Sequence, residues 1–564
     1  MEYHASPMKK LTSLLLGIVL CGAHSATAQW LRVVHDGFTS DWEGWPVLAT
    51  DAAGDASPDL QILQASRDES TLTLRLRLGA DLLLQESNAL KLALDTDWNS
   101  STGTAAEGLG AELIWTFGSR SGSYKYGSTT AITVRHDDLG LRTLPTHSSS
   151  DYEITFNLAA RPDGSHLLFP LDSLKAVVYQ TGGDRLPSTG FSTVRVGAGS
   201  LPALAVRSPQ RVDDGSLRIA AWNVLSSGLF NTTYTNQYDR LLTLLAPDII
   251  SFEEVWNESA AQTVTRLNQL VPELGPWTAV KLDPGNVIAS RFPIRNSWLV
   301  QGTYRETAAL IDASSVLGDS LLFIACHLRC CTANAERQDE ADGLIQFLKD
   351  ARTGGGAITL PEGTPMLMAG DFNLVGDRQQ LVTLLTGDIV DNATYGVDSP
   401  PDWDGGALAD LVPLLPTLPD ASTWWDNGST YLPGRLDLML YTDSALENVR
   451  SGILGTSFLG STELAAWGVL ATDSWDASDH YPVWGDFRLP VQSVEAPGLG
   501  IVRQGDGSLL LSWNAVPGAT LYRVERAPAT GEAWSVEGSL AGTSLALPMP
   551  TGAQQSLYRV VAIR

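Results

Sequence analysis

Six short blocks between residues 217 and 488 constrain this chain more than any other feature of its sequence. In each, an apolar run ends in, or opens from, a polar residue able to do chemistry. Residues 217–222 lead to Asn223, and 247–252 lead to Glu253-Glu254. Residues 321–326 lead to His327, and 365–369 lead to Gly370-Asp371-Phe372-Asn373. Arg435-Leu436-Asp437 opens into 438–441, and Asp479-His480 opens into Tyr481-Pro482-Val483. Short apolar runs bounded by turn residues predict strands buried on both faces. Strands that stop together would gather Asn, Glu, Asp and His into one cleft. Taken singly, each block is weak: Asp-Phe-Asn is a common turn, a lone Glu is usually solvated, and a lone His is often a satisfied core residue. Their joint occurrence in this order is what points to a site.

The blocks fill less than half of the chain. At 564 residues it is too long for one core, and three or four domains are expected. Hydrophobic content of 44% with 18% charged residues predicts folded, soluble domains rather than disorder. The net charge of -26 disfavours a broad basic surface for polyanions. It does not exclude a nuclease, because a bound metal inverts the field inside a site. Residues 29–206 read as β-rich: 71–78 alternate almost strictly, and 89–94, 111–117, 130–134 and 151–156 are similar, separated by Gly, Ser, Asp and Asn. That pattern predicts a sandwich of two sheets. Residues 207–216 and 490–498 have linker composition, leaving 217–489 as a central domain and 499–564 as a third, β-rich one.

Lys9 and Lys10 precede an apolar run to Cys21, followed by Ala26-Thr27-Ala28. This order predicts a secretory signal over 1–28, cleaved after Ala28, and a secreted or periplasmic protein. No later stretch has transmembrane length. Cys326, Cys330 and Cys331 remain around His327, and in an exported protein one disulfide plus one free thiol is favoured over a zinc site. Asp95, Asp97 and Asn99 alternate through a turn, which fits either a calcium loop or a simple Asp/Asn-rich turn.

The six blocks, with Ser290-Arg291-Phe292-Pro293 and Tyr304-Arg305-Glu306, resemble the endonuclease/exonuclease/phosphatase superfamily. The resemblance implies an α+β, four-layer αββα, deoxyribonuclease-I-like central domain between two all-β sandwiches. It implies Mg²⁺ or Mn²⁺ held by Glu254 with Asn223 and Asp479. It casts His480 as general base oriented by Asp437, Asp371 and Asn373 as positioning groups, His327 as a donor to a phosphoryl oxygen, and Arg305 as a phosphate clamp. Glu253 stands where many relatives carry Gln. The implied reaction is metal-dependent phosphoester hydrolysis, with nucleic acid favoured over a sphingomyelinase-like lipid substrate. An adhesin with an inactive centre is the non-enzymatic alternative. Trp403, Trp424 and Trp425 could stack on bases, enter lipid or fill the core. Asp36-Gly37, Asp41-Trp42 and 110–113 make the first sandwich resemble family-9 carbohydrate-binding modules, which implies glycan binding or a spacer role. Trp513, Tyr522 and Tyr558 on successive strands make the last domain similar to fibronectin type III.

Overall fold

The apolar runs of the central region become strands whose two faces are both covered. In the computed structural model, which describes residues 32–197, 201, 204–212, 215–490, 497–516, 519–527, 534–549 and 556–563, twelve strands build two six-stranded sheets here. They are β1 (Leu217–Asn223), β2 (Ile249–Glu253), β3 (Thr278–Val280), β4 (Val287–Ser290), β5 (Ile294–Leu299) and β6 (Glu306–Ile311). After them come β7 (Leu321–His327), β8 (Met366–Asp371), β9 (Ala409–Leu411), β10 (Asp437–Tyr441), β11 (Glu447–Ile453) and β12 (Val483–Arg488). One sheet runs β3-β4-β2-β1-β12-β11 and the other β5-β6-β7-β8-β10-β9. The predicted signal segment and Cys21 lie outside the described residues.

Alternate residues of each strand enter different cores. Ile219 and Ala221 of β1 join Phe323 and Ala325 of β7 and Leu367 and Ala369 of β8 between the sheets. Their neighbours Ala220 and Trp222 face outward onto Leu241 and Leu245 of helix Thr235–Leu245 and Leu267 of helix Ala260–Leu270. Leu322, Ile324, Met366 and Met368 face outward onto Leu344, Ile345 and Leu348 of helix Asn334–Thr353 and Leu384 of Gln379–Thr386. This is the four-layer αββα sandwich, and double-sided burial is why its strands read as continuous apolar runs.

The N-terminal region is a sandwich of a five-stranded and a seven-stranded sheet. The predicted alternating strand is Thr71–Leu82, and Leu72, Leu74, Leu76 and Leu78 all enter the core between the sheets. Its other face departs from simple alternation: Thr71 and Thr73 are also buried. They line, with Thr155, a small cavity closed by Leu418, Pro419 and Asp420 of the central domain. Ala28–Arg488 is accordingly one compact unit. His35 and Asp420 form a parallel bridge across it. Asp420 accepts from Arg142 Nε at 2.7 Å and lies 3.0 Å from His35 Nδ1.

Leu489–Arg564 belongs to a second compact unit. Its strands Leu499–Arg503, Leu509–Trp513 and Ser544–Leu547 form one sheet, and Ser535–Leu540, Leu521–Ala527 and Leu557–Ile563 another. Trp513, Tyr522, Val524 and Val560 pack between them.

The expected disulfide is absent among the described residues: Cys326, Cys330 and Cys331 are all free. Strand β7 turns Cys326 into the outer core, whereas Cys330 and Cys331 are exposed side by side, with Sγ atoms 2.6 Å apart. No described helix is long and apolar enough to cross a membrane.

Candidate active site

Strand register carries the six blocks to one end of the two sheets. Parallel pairing of β1 with β2 sets Asn223 opposite Glu253, so Glu254 follows directly. Parallel pairing of β7 with β8 sets His327 opposite Asp371, and the antiparallel β8–β10 pair sets Asp371 opposite Asp437. His480 lies three residues before Val483, which pairs with Ala221. The backbone at this end is unusual. Glu254 and Asn373 have φ of 62° and 49°, and Gly370 has φ of 136°. A Cβ on Gly370 would lie 2.1 Å from the Cys326 carbonyl oxygen, so the Gly before Asp371 is required by the neighbouring strand. Such conformations are costly and concentrate where side chains must be aimed.

Asp371 is the hub. Its Oδ2 accepts from Asn373 Nδ2 at 2.9 Å and Asn223 Nδ2 at 3.2 Å. His327 Nε2 and His480 Nε2 each lie 3.7 Å from that same oxygen. His480 Nδ1 sits 2.9 Å and 3.1 Å from the two Asp437 oxygens, which fixes its ring and leaves Nε2 toward the cavity side. Asp437 is itself held by its backbone N–H donating to Thr423 Oγ1. Glu254 Oε2 accepts from the Ser226 N–H at 2.8 Å, and Asn223 Nδ2 is 3.3 Å from Oε1. Asp479 Oδ2 accepts from Trp424 Nε1 at 2.9 Å.

The two histidines are geometrically alike and electrostatically opposite. Burial disfavours the charged form of His480, but Asp437 and Asp371 overcome it and push its pKa up to about 10. Burial, reinforced by the nearby Arg305 and His480 cations, holds His327 well below the usual range, so it is neutral. Its Nδ1 has no protein partner. Asp371 is raised to about 7, mainly by burial with the Asp437 charge adding to it. Glu253 is fully buried between the sheets, both its oxygens lack partners, and burial raises it well above the carboxylate range. As a neutral acid it is a near-isostere of Gln.

Donor chemistry at this site fits Mg²⁺ or Mn²⁺. These ions dehydrate reluctantly, keep several waters and use one or two carboxylates beside a substrate phosphate. Glu254 offers one such carboxylate at a cavity wall, with Asp479 lining the same cavity. Among the described residues, a closed cage of three carboxylates is found elsewhere. Asp95, Asp97 and Glu112 bring one oxygen each within 4.8 Å of the others. Asp95 Oδ1 and Glu112 Oε1 are buried and unpartnered, while Lys175 Nζ holds the second Asp95 oxygen at 2.8 Å. Asn99, beside them in the turn, is exposed, and its Oδ1 accepts from the Ser101 N–H. Glu112, from the next strand region, joins the two expected carboxylates. A third grouping, Asp51, Asp55 and Asp184, includes the exposed Asp55.

The cavity at the strand ends has a volume of about 470 Å³. Glu254, His327, Asp371, Asn373, Asp479 and His480 line it, as does Arg305. The Arg305 guanidinium lies 5.5 Å from the Trp256 ring centre and donates to the Leu328 carbonyl. Asn223 and Asp437 stand behind that lining. Of the three flagged tryptophans, Trp424 lines the cavity. Trp425 packs against Phe458, and Trp403 packs in the outer core. Trp256, Tyr431 and the sandwich residues Gln85, Glu86 and Thr146 also line it. Trp256 follows Glu254 closely enough that proximity in sequence could have flagged it. Nothing in the sequence flags the other four.

Among solved structures, the chain is similar to sphingomyelinase C from Streptomyces griseocarneus, at 15% identity over 48% of this chain and 99% of that one, TM-score 0.28. It is similar to the AP endonuclease LMAP from Leishmania major, at 10% identity over 51% and 93%, TM-score 0.29. A family-9 carbohydrate-binding module from Caldicellulosiruptor kristjanssonii matches at 12% identity over 30% and 93%, TM-score 0.18. A search of curated proteins finds no match. The sequence of residues 220–480 matches the model of the endonuclease/exonuclease/phosphatase family. That span starts beside Asn223 and ends on His480, and the domain built from it belongs to the endonuclease/exonuclease/phosphatase family.

Proposed function

We propose that the chain is an exported, divalent-metal-dependent phosphodiesterase that hydrolyses nucleic acid. The observation that carries the reading is the convergence on one cavity of Glu254, His327, Asp371, Asp479 and His480, with His480 Nδ1 held 2.9 Å from Asp437. His480 Nε2 is the atom that would take the proton from attacking water once a cation bound beside it lowers its pKa from about 10, and Asp437 favours the resulting imidazolium. Asp371 and Asn373 position that water. Neutral His327 donates to a non-bridging phosphoryl oxygen as charge builds there. Arg305 pairs with the substrate phosphate. Mg²⁺ or Mn²⁺, held by Glu254 with Asn223 and Asp479, supplies Lewis-acid polarisation and stabilises the leaving oxygen. The field that draws a proton onto His480 also favours a cation beside it. Nucleic acid is preferred as substrate because Trp256 and Trp424 offer aromatic faces in the cavity on which bases can stack. The lysine pair and apolar run before Ala28 support export. In the sandwich, Asp95, Asp97 and Glu112 form a Ca²⁺ site, a reading supported by their two buried, unpartnered oxygens.

The test is hydrolysis of bis-p-nitrophenyl phosphate, a single-stranded oligonucleotide and sphingomyelin by purified protein, with Mg²⁺ or with EDTA, against His480→Ala. Metal-dependent turnover that His480→Ala abolishes is expected. No turnover of any phosphoester would overturn the enzyme reading, and cleavage of sphingomyelin alone would replace the substrate.

A further inference from the structure

The sandwich does more than adjoin the central domain: it closes one side of the cavity. Gln85, Glu86 and Thr146 line the same space as Glu254, Asp371 and His480. We propose that the N-terminal sandwich is a wall of the active site and limits the substrate to a phosphodiester in a single strand or at a strand end, excluding continuous duplex. This inference rests on the phosphodiesterase reading above.

Two attachments make the wall fixed rather than incidental. The first runs through the central-domain segment that carries Trp424. Leu432 of that segment is buried in the sandwich's own hydrophobic core, and its N–H donates to Gln85 Oε1 at 2.8 Å. Beside it, Tyr431 donates its hydroxyl to Glu86 at 2.6 Å. Arg120, from the sandwich, lies 4.0 Å over the Tyr431 ring and donates to the Gln85 carbonyl at 2.9 Å. At the other end of the segment, Trp424 donates to Asp479. The sandwich is thereby linked to the Asp479 carboxylate through one short stretch of chain. The second attachment is Thr146, whose hydroxyl donates to the Leu374 carbonyl at 2.6 Å, next to Asn373. The neighbouring Ser148 N–H donates to Gly376.

Substrate selection follows from stiffness and charge. Duplex DNA has a persistence length of about 50 nm, so it cannot bend locally into a walled cavity and must be met by an open surface. A single strand can fold a phosphate into the cavity and stack its bases on Trp256 and Trp424. Tight binding of a duplex also calls for several cations along the backbone. Among the described residues lining the cavity, Arg305 is the one Lys or Arg, and the Glu86 carboxylate that the sandwich adds to the rim is paired with Arg120 at 3.4 Å. That charge pattern matches one phosphate, not a run of them on two strands.

The experiment uses the full chain with Mg²⁺ and two oligonucleotides of identical sequence: a linear single strand, and a dumbbell duplex closed at both ends. The single strand is expected to be cleaved at least about 100-fold faster per phosphodiester, because the dumbbell presents neither an end nor an unpaired segment. Arg120→Ala, outside the cavity and its chemistry, should narrow that ratio at least about fivefold while bis-p-nitrophenyl phosphate turnover stays within about twofold of wild type. In fluorescence anisotropy with His480→Ala protein, the labelled single strand should bind and the dumbbell should not. Dumbbell cleavage or binding equal to the single strand would overturn the inference. So would an unchanged ratio in folded Arg120→Ala or, should that variant fail to fold, in Glu86→Gln. Loss of bis-p-nitrophenyl phosphate turnover in the wild type marks instead the failure of the phosphodiesterase reading, and this inference falls with it.

Discussion

Two groups of carboxylates in this molecule solve opposite problems. Glu254, Asp371, Asp437 and Asp479 sit at strand ends, separated by histidines and amides, and three of them open onto one cavity. Asp95, Asp97 and Glu112 sit within 4.8 Å of one another, with no histidine in the group and a lysine on the far oxygen of Asp95. The first arrangement leaves coordination positions free, as an ion that must meet a substrate requires. The second closes around its centre, as suits a larger cation taking six to eight oxygens. Acidic residues therefore say little by their number; what separates chemistry from architecture is whether the carboxylates face a common opening or each other.

The sharpest attempt to break this contrast is His480→Ala. It should lower metal-dependent turnover by about 10²- to 10⁴-fold and leave calcium-dependent stability untouched, as followed by initial rates and thermal unfolding. Next in size is a carboxylate compensated by fixed cations instead of an ion, Asp420. Removing it as Asp420→Ala strands the buried Arg142 and should cost about 3–5 kcal/mol in denaturant unfolding. Arg142 and His35 overcome the effect of burial and hold Asp420 below the usual carboxylate range. Its contribution is therefore present above the unfolded value of about 4 and lost as pH falls through the lowered folded value. A Tm-against-pH profile should drop at acid pH in the wild type and flatten in Asp420→Asn. The calcium cluster should then give a smaller effect: Ca²⁺ at about 100 times its Kd adds about 2.7 kcal/mol, an increment that Glu112→Gln abolishes without changing turnover. Should Glu112→Gln lower activity instead, the two clusters are coupled and the contrast fails. The smallest effect belongs to Glu253→Gln. A neutral acid exchanged for an amide should keep turnover within about twofold; a collapse of activity would show that the buried acid must ionise.

The central layers were legible because strands buried on both faces leave an unbroken apolar signature, and because chemistry placed at strand ends marks where each run stops. Asn223, Glu254, His327 and Asp371 are positions of that kind. Register did the rest, and register cannot be read from one strand: the adjacency of Asp371 and Asp437 depends on an antiparallel pairing across the 65 residues between them. The carboxylate cluster of the sandwich was legible only in part, since Asp95 and Asp97 share a turn while Glu112 arrives from the next strand region. The wall was invisible. Gln85, Glu86 and Thr146 are ordinary polar residues in sandwich loops, and only docking on the central domain gives them a cavity to face. The thiols misled for a related reason: three cysteines close in sequence look pairable, but one of them points into the core.

Pairing of β1 with β12 has a consequence for the life of the nascent chain. Ala221 meets Val483 only after the 261 positions between them have been made, and His480 is delivered by the turn just before β12. Until then the layers of the hydrolase domain remain an open assembly lacking the strand that anchors His480. Competence then arrives in one step, when β12 pairs with β1. A product truncated shortly before His480 would hold nearly all of the domain's strands and lack the proposed base, so faulty synthesis yields inert fragments instead of partly active ones.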